Sequence, residues 1–318
     1  HLMKVVCTSP SFAKYSDEPG LFLEKKGMSL ERLPADITEE QFIEAAEGAD
    51  AAIVAFNQIT PYVLDRLPSL KIVCKHGVGV DNIDLHAAKE RNVWVTNAPN
   101  ANKHAVADFV FGLMLSAARQ IPAADRETKL GKWPRIFGSD VYGKTLGIVG
   151  LGMIGKEVAK RAQGFNMTVL AYDVFPDRAF AADHHIHFTE LDQLLKECDF
   201  ITLHMPLTAE TENMIGEKEL AAMKETAYLI NASRGGIVSE CALYDALASG
   251  GIAGAALDVY QTEPLKQHPL FELDRFIAVP HIAGYTRDAV QNLGMICVKN
   301  IASVLIDKQK PEFVVNGL

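Results

Sequence analysis

The sequence predicts an α/β protein built from two doubly wound, parallel-sheet domains. Three observations lead there. Short apolar runs recur along the chain, each followed by a segment that favours helix, and that alternation implies parallel strands. The 318 residues suffice for two cores of the usual size. A glycine-rich turn, Gly150-Leu-Gly152-Met-Ile-Gly155, joins one such apolar run to a helical pattern.

The first strand is the apolar run Met3–Thr8, and a helical segment follows to about Lys26. Ala51–Phe56, Leu70–Cys74 and Val93–Thr96 are the next strands. Pro61 opens a helix at its first turn, where its missing N–H costs nothing, and Asp84–Arg91 is a short helix. Val106–Arg119 is apolar nearly all round, which predicts a helix buried between domains or between subunits. Lys132–Gly143 is a polar loop carrying Trp133 and Arg135. Leu146–Val149 has the continuous apolar character of a strand covered on both faces. Met167–Tyr172, Phe200–Leu203, Ala227–Ile230, Gly254–Val259 and Ile277–Val279 continue the second sheet. The helix Thr286–Ile306 carries the chain away and the tail Pro311–Leu318 closes it. The domains are therefore expected at 3–100 joined by 285–318, and at 101–284, so the first is discontinuous.

Apolar residues make up 48% of the chain, which excludes a disordered protein. With 31 basic and 40 acidic residues the formal charge is −9. Such a chain, without a clustered basic face, is a poor partner for nucleic acid or an anionic membrane. No apolar run reaches the ~18 residues of a membrane span, and no signal peptide is recognisable. His1-Leu2 ahead of Met3 reads as an expression remnant. The five cysteines are scattered, with no C-x-x-C, and read as reduced thiols of a cytoplasmic protein. His184-His185-Ile-His187 lacks supporting carboxylates or cysteines and reads as a solvated loop; no metal is expected.

The glycine turn is a dinucleotide fingerprint. Gly150 permits the tight exit from the strand, Gly152 lets backbone approach a pyrophosphate, and Gly155 lets the helix pack on the strand. Met153 and Ile154 present backbone N–H groups at the helix start, where an anion is favoured, while their side chains are expected to pack. Asp173 ends the next strand, 18 positions after Gly155. A carboxylate there accepts hydrogen bonds from the adenosine ribose and repels a 2′-phosphate, which favours NAD.

Three further polar residues close successive strands, where ligands bind in open α/β sheets. Arg234 lies in the turn Asn231-Ala-Ser-Arg-Gly-Gly-Ile237 and can hold a carboxylate through two parallel hydrogen bonds. Glu263 lies before Pro264, which restrains it to extended backbone. His281 can shuttle a proton near neutral pH. A carboxylate at its far nitrogen would fix the tautomer and favour the protonated ring. NADH carries a hydride; a 2-oxo acid needs its carboxylate anchored and its carbonyl oxygen protonated. Arg234 is suited to the first task and His281 to the second.

These residues, with HGVGVDNID (77–84 and its preceding His76), NAPNANKHAVAD (97–108), GKTLGIVGLGMIG (143–155), LHMPLT (203–208), NASRGGIV (231–238), LDVYQTEP (257–264) and PHIAGYT (280–286), resemble the D-isomer-specific 2-hydroxyacid dehydrogenases, in their phosphoglycerate dehydrogenase-like branch. The resemblance runs over nearly the whole chain. It implies a Rossmann-type NAD-binding domain beside a flavodoxin-like substrate domain. It implies a catalytic set of Arg234, Glu263 and His281, with the Val78-Gly79 backbone helping Arg234 hold the substrate carboxylate. It further implies that Asp258 and the Ala232 backbone meet the nicotinamide amide, that the loop from His204 to Pro206 lies by the adenosine half, and that the protein is a homodimer.

The departures from the family matter equally. Phosphoglycerate dehydrogenases of this type carry an arginine-serine pair after the second apolar strand, for the substrate phosphate. Here the stretch is Val54-Ala-Phe-Asn-Gln-Ile59, which leaves Lys75 and Arg135 as phosphate partners. The chain stops at Leu318 without the extension that carries serine feedback in many relatives, so that regulation is not expected. His104 stands where the family usually has a small hydroxyl residue, and Glu263 argues against formate dehydrogenase, which has Gln there. The expected activity is NAD-dependent interconversion of a small 2-oxo acid and its D-2-hydroxy acid, of hydroxypyruvate or glyoxylate type. D-3-phosphoglycerate dehydrogenase is the alternative, and a non-enzymatic NAD-binding scaffold of the corepressor kind is the alternative of another class.

Overall fold

The structure is a computed structural model describing residues 2–318. The chain divides into two compact units. One takes the chain up to Asn102 and again Tyr285–Leu318; the other is Lys103–Gly284.

The first unit holds β1 (Met3–Cys7), β2 (Met28–Arg32), β3 (Ala51–Val54), β4 (Ile72–Lys75) and β5 (Trp94–Thr96). They form one parallel sheet in the order β2-β1-β3-β4-β5. Because side chains alternate along a strand, Val5, Cys7, Ile53 and Ile72 face one side, with Cys297, Val298 and Ile301 of the helix Arg287–Leu305. Val6, Ala52, Val54 and Val73 face the other, with Phe42, Val63 and Leu64. Thr286 caps the long helix through a hydrogen bond from the Ala289 N–H, at 2.9 Å.

The second unit holds β6 (Thr145–Val149), β7 (Thr168–Tyr172), β8 (Ile186–Phe188), β9 (Phe200–Leu203), β10 (Tyr228–Asn231), β11 (Gly254–Leu257) and β12 (Phe276–Ala278). All pair in parallel in the order β12-β11-β10-β9-β6-β7-β8. The helices Lys103–Arg119 and Met153–Gly164 cover the face carrying Ile148, Ile230 and Ala256. Leu194, Leu220 and Leu243 cover the face carrying Val149, Ile201 and Leu229. The strand order reverses between β6 and β9, which opens a crevice at their carboxyl ends.

The structure departs from expectation in four places. β2 lacks an apolar run because only its first residue, Met28, is buried; as an edge strand it needs no more. β8 runs through the histidine-rich stretch expected to be a loop, held by Ile186 against the core, while His184 stacks on Phe180. Ile121–Lys129 is a helix with no buried residue. The apolar helix Lys103–Arg119 packs inside the second unit, on the helix Met153–Gly164 and on β10 and β11, with Phe109 and Leu115 only partly buried. Among the described residues no helix is long and apolar enough to cross a membrane, and no cluster of metal-ligating side chains occurs.

Candidate active site

The glycine turn leaves β6 at Gly150, which has φ of +99°. A Cβ there would lie 2.4 Å from the carbonyl oxygen of His204, the residue after β9. Both the left-handed backbone and this approach demand glycine. A Cβ on Gly155 would lie 2.3 Å from the Gly150 carbonyl oxygen, so helix and turn pack without a side chain between them. At Gly152 a Cβ would meet nothing within 4 Å. The space over Gly152 is thus open beside the unpaired N–H groups at the start of the helix Met153–Gly164, the cradle a pyrophosphate requires. Ile154 packs partly against the core, but Met153 is 46% exposed, contrary to the expectation that both side chains pack.

Asp173 follows β7 and accepts the Leu151 N–H at 2.7 Å and the Phe175 N–H at 2.9 Å. Its carboxylate ties the glycine turn to the end of β7 and keeps lone pairs for a diol. His204 donates its backbone N–H to Val149 at 2.7 Å, and its ring lies 2.9 Å from the Thr202 hydroxyl. Burial pushes the ring down to about 4, so it is neutral. The Pro206 carbonyl accepts the Thr211 hydroxyl at 2.6 Å, which closes that loop.

Arg234, Glu263 and His281 come together at the ends of β10, β11 and β12. His281 Nδ1 is 2.6 Å from Glu263 Oε2, and the Tyr260 N–H donates to Glu263 Oε1 at 2.9 Å. Burial works against the charge on Glu263. The His281 hydrogen bond, the Tyr260 N–H and the nearby Arg234 guanidinium outweigh it and hold the carboxyl below its usual range. Arg234 is exposed; its guanidinium donates to the Ser233 carbonyl at 2.7 Å, and its carbonyl accepts the Asn231 amide at 3.0 Å. Ala232, directly after β10, is buried.

His281 has φ of +56°, unusual for a residue with a side chain. Asp258, at the end of β11 and fully buried, accepts the N–H of Ile282 at 2.7 Å and of Ala283 at 3.0 Å. That grip on the two amides after His281 over-determines the backbone and aims the imidazole. Burial raises the Asp258 carboxyl above its usual range, against the pull of those two amides. The sequence marked Asp258 only through its place in LDVYQTEP; this backbone role has no local signature.

In the first unit, Val78 and Gly79 lie on the loop after β4. Neither donates its N–H to another described residue, which leaves two donors free for an anion. They help line a hollow of about 470 Å³ with Phe56, Gln58, Lys75, His76, Asp81 and Asn82. The Lys75 ammonium is already engaged by the Ala55 carbonyl and the Asn82 side chain, and lies over the Phe56 ring.

Fold and site together define a nicotinamide-dinucleotide-binding protein of the doubly wound class. The sequence pattern of "D-isomer specific 2-hydroxyacid dehydrogenase, NAD binding domain" matches residues 111–283. The D-3-phosphoglycerate dehydrogenase of Methanocaldococcus jannaschii is 42% identical over 273 residues, covering 85% of this chain and 52% of that protein. The glyoxylate reductase of Korarchaeum cryptofilum is 40% identical over 285 residues, covering 87% of this chain and 86% of its own. Among solved structures, the D-lactate dehydrogenase with NAD+ from Lactobacillus jensenii superposes with a TM-score of 0.87 at 28% identity, over 98% of this chain and 99% of that one. This chain belongs to the D-isomer specific 2-hydroxyacid dehydrogenase family. It spans about half the length of the phosphoglycerate dehydrogenases it matches.

Proposed function

We propose that the protein is an NAD-dependent oxidoreductase that interconverts a small 2-oxo acid and its D-2-hydroxy acid, with hydroxypyruvate or glyoxylate as the substrate type. The observation that carries this reading is the 2.6 Å contact between Glu263 and His281, with Arg234 beside it. NAD fits the second unit: the open space over Gly152, the free N–H groups of Met153 and Ile154, and Asp173 at the end of β7 suit its pyrophosphate and ribose. In this reading Ala232 and Asp258 meet the nicotinamide amide, and His204 and Pro206 border the adenosine half. The second unit is thus the NAD-binding domain and the first, through Val78 and Gly79, the substrate domain.

The bound cofactor supplies or accepts the hydride. Arg234 holds the substrate carboxylate as a bidentate donor. With Glu263 at Nδ1, the free Nε2 of His281 is the atom that gives its proton to the carbonyl oxygen in reduction and takes the hydroxyl proton in oxidation. Glu263 favours the protonated ring and fixes its orientation. A homodimer is supported by the exposed aromatic residues Trp133 and Phe137, at 87% and 86% exposure, and by Leu130 at 66%. Five unpaired cysteines support a cytoplasmic setting.

The test is a panel of 2-oxo acids with NADH, followed by absorbance, with glyoxylate, hydroxypyruvate, pyruvate and 3-phosphohydroxypyruvate as its arms. Turnover of none of them, alongside measurable NADH binding, would overturn the proposed substrate type and favour the non-enzymatic scaffold.

A further inference from the structure

Glu240 stands outside the set just described. It is the first residue of the helix Glu240–Ala248, capped by Ser239, and is only 7% exposed. A buried carboxylate needs strong partners. No lysine or arginine pairs with it; its partners are both on the loop that carries Glu263. Oε2 accepts the Gln261 N–H at 2.8 Å, and Oε1 lies 3.1 Å from His268 Nε2. The Leu270 N–H donates to His268 Nδ1 at 3.1 Å, so the ring hydrogen is on Nε2 and is donated to Glu240. One carboxylate thus grips the loop on both sides of Glu263, two residues before it and five after.

The same loop is pressed onto the turn that carries Arg234. A Cβ on Gly235 would lie 1.7 Å from the Tyr260 carbonyl oxygen, so the two backbones touch. Tyr260 anchors this contact from below, its hydroxyl lying 3.0 Å from both the Leu257 and the Val279 carbonyl oxygens. Its N–H is also the donor to Glu263 Oε1. Glu240 follows the Arg234 turn by a few residues and clamps the Glu263 loop against it.

We propose that Glu240 is a positioning residue: by holding Gln261 and His268 it sets Glu263 against His281 and in register with Arg234. The inference rests on the catalytic reading above, and its test keeps the two apart. Glu240→Gln retains one acceptor oxygen and replaces the other by an amide donor, so only one side of the loop stays held. Small misplacements of catalytic groups cost up to about 100-fold. The expected result is a loss of about 10–100-fold in kcat, with the alkaline limb of the reduction rate moved to lower pH and the NADH Kd within about twofold of wild type. Amide hydrogen exchange should rise within 259–270 and stay unchanged in the strands of the sheet. In a Glu263→Gln background, Glu240→Gln should move the limb no further, because its effect runs through Glu263. His268→Ala likewise releases one side and should give a change of the same sign and comparable size; it serves if Glu240→Gln does not fold. An unmoved limb, or additive effects of the two substitutions, overturns the proposal. If the wild type reduces no 2-oxo acid, the catalytic reading fails instead, and hydrogen exchange alone decides whether Glu240 holds the loop: unchanged exchange throughout 259–270 overturns the clamp.

Discussion

Replacing Glu263 by Gln keeps the side chain's shape and removes its charge, which isolates what the carboxylate does to His281. The two atoms are 2.6 Å apart, with side-chain exposures of 50% for His281 and 32% for Glu263. A hydrogen bond to a charged group contributes about 1.5–3 kcal/mol. Solvent at a half-exposed pair reduces this, and about 1–1.5 kcal/mol is a reasonable net value. At about 1.4 kcal/mol per factor of ten, the expected loss in kcat/KM for reduction near neutral pH is about five- to tenfold. The sign follows from the state of Glu263. Its carboxyl is held below the usual range, so it is ionised throughout the neutral region and stabilises the protonated ring beside it. Reduction needs that protonated ring, and its rate falls as pH rises and the ring empties. Without the charge the ring empties sooner, so the limb moves to lower pH. The assay is the pH profile of kcat/KM for 2-oxo acid reduction by wild type and Glu263→Gln, with NADH affinity measured in parallel. A limb that does not move, or moves to higher pH, refutes the dyad.

Changing His281 to Ala removes the proton donor and should lower kcat by about 10²–10⁴-fold, with NADH binding measured by fluorescence essentially retained. NADH should be preferred over NADPH by at least about tenfold in kcat/KM, or roughly 1.4 kcal/mol, because Asp173 ends β7 and neither Val174 nor Phe175 offers a cation to a 2′-phosphate. Equal use of the two cofactors would contradict that assignment. Unphosphorylated acids such as glycerate should outperform 3-phosphoglycerate in kcat/KM. Val54–Ile59 has no arginine, and the missing charge-assisted contact is worth about 10–150-fold. A preference for the phosphorylated acid would contradict the inference drawn from Val54–Ile59.

The central strands were legible because burial on both faces leaves a continuous apolar run: Ala51–Val54 and Phe200–Leu203 have no exposed residue. β2 and β8 were not, since an edge strand with one or two anchoring residues looks like any polar stretch. The helix Ile121–Lys129 buries nothing, so it carries no periodic apolar signal. At the site, residues with distinctive chemistry at strand ends could be picked out one by one. What the chain could not display was how they are held. Asp258 gripping two amides after His281, and Glu240 gripping a loop more than twenty positions away, depend on backbone N–H groups that every residue owns. Gly235 shows the same limit: the backbone that excludes a side chain there belongs to Tyr260, and only the fold brings it near.

The return of the helix Arg287–Leu305 to the first sheet dictates an order of events during synthesis. The strands β1, β3 and β4 leave the ribosome first, yet one face of their sheet is covered by Cys297, Val298 and Ile301. Asn316, whose side chain bonds Val93 and Val95, arrives later still. Lys103–Gly284 is contiguous and can close its core as soon as it is made. The N-terminal half-core must therefore wait, at usual elongation rates, on the order of ten to forty seconds with apolar strands uncovered. Of the two units, the one begun earlier is the one completed later, and over that interval its uncovered apolar strands are a ready surface for chaperones or for another unfinished copy of the chain.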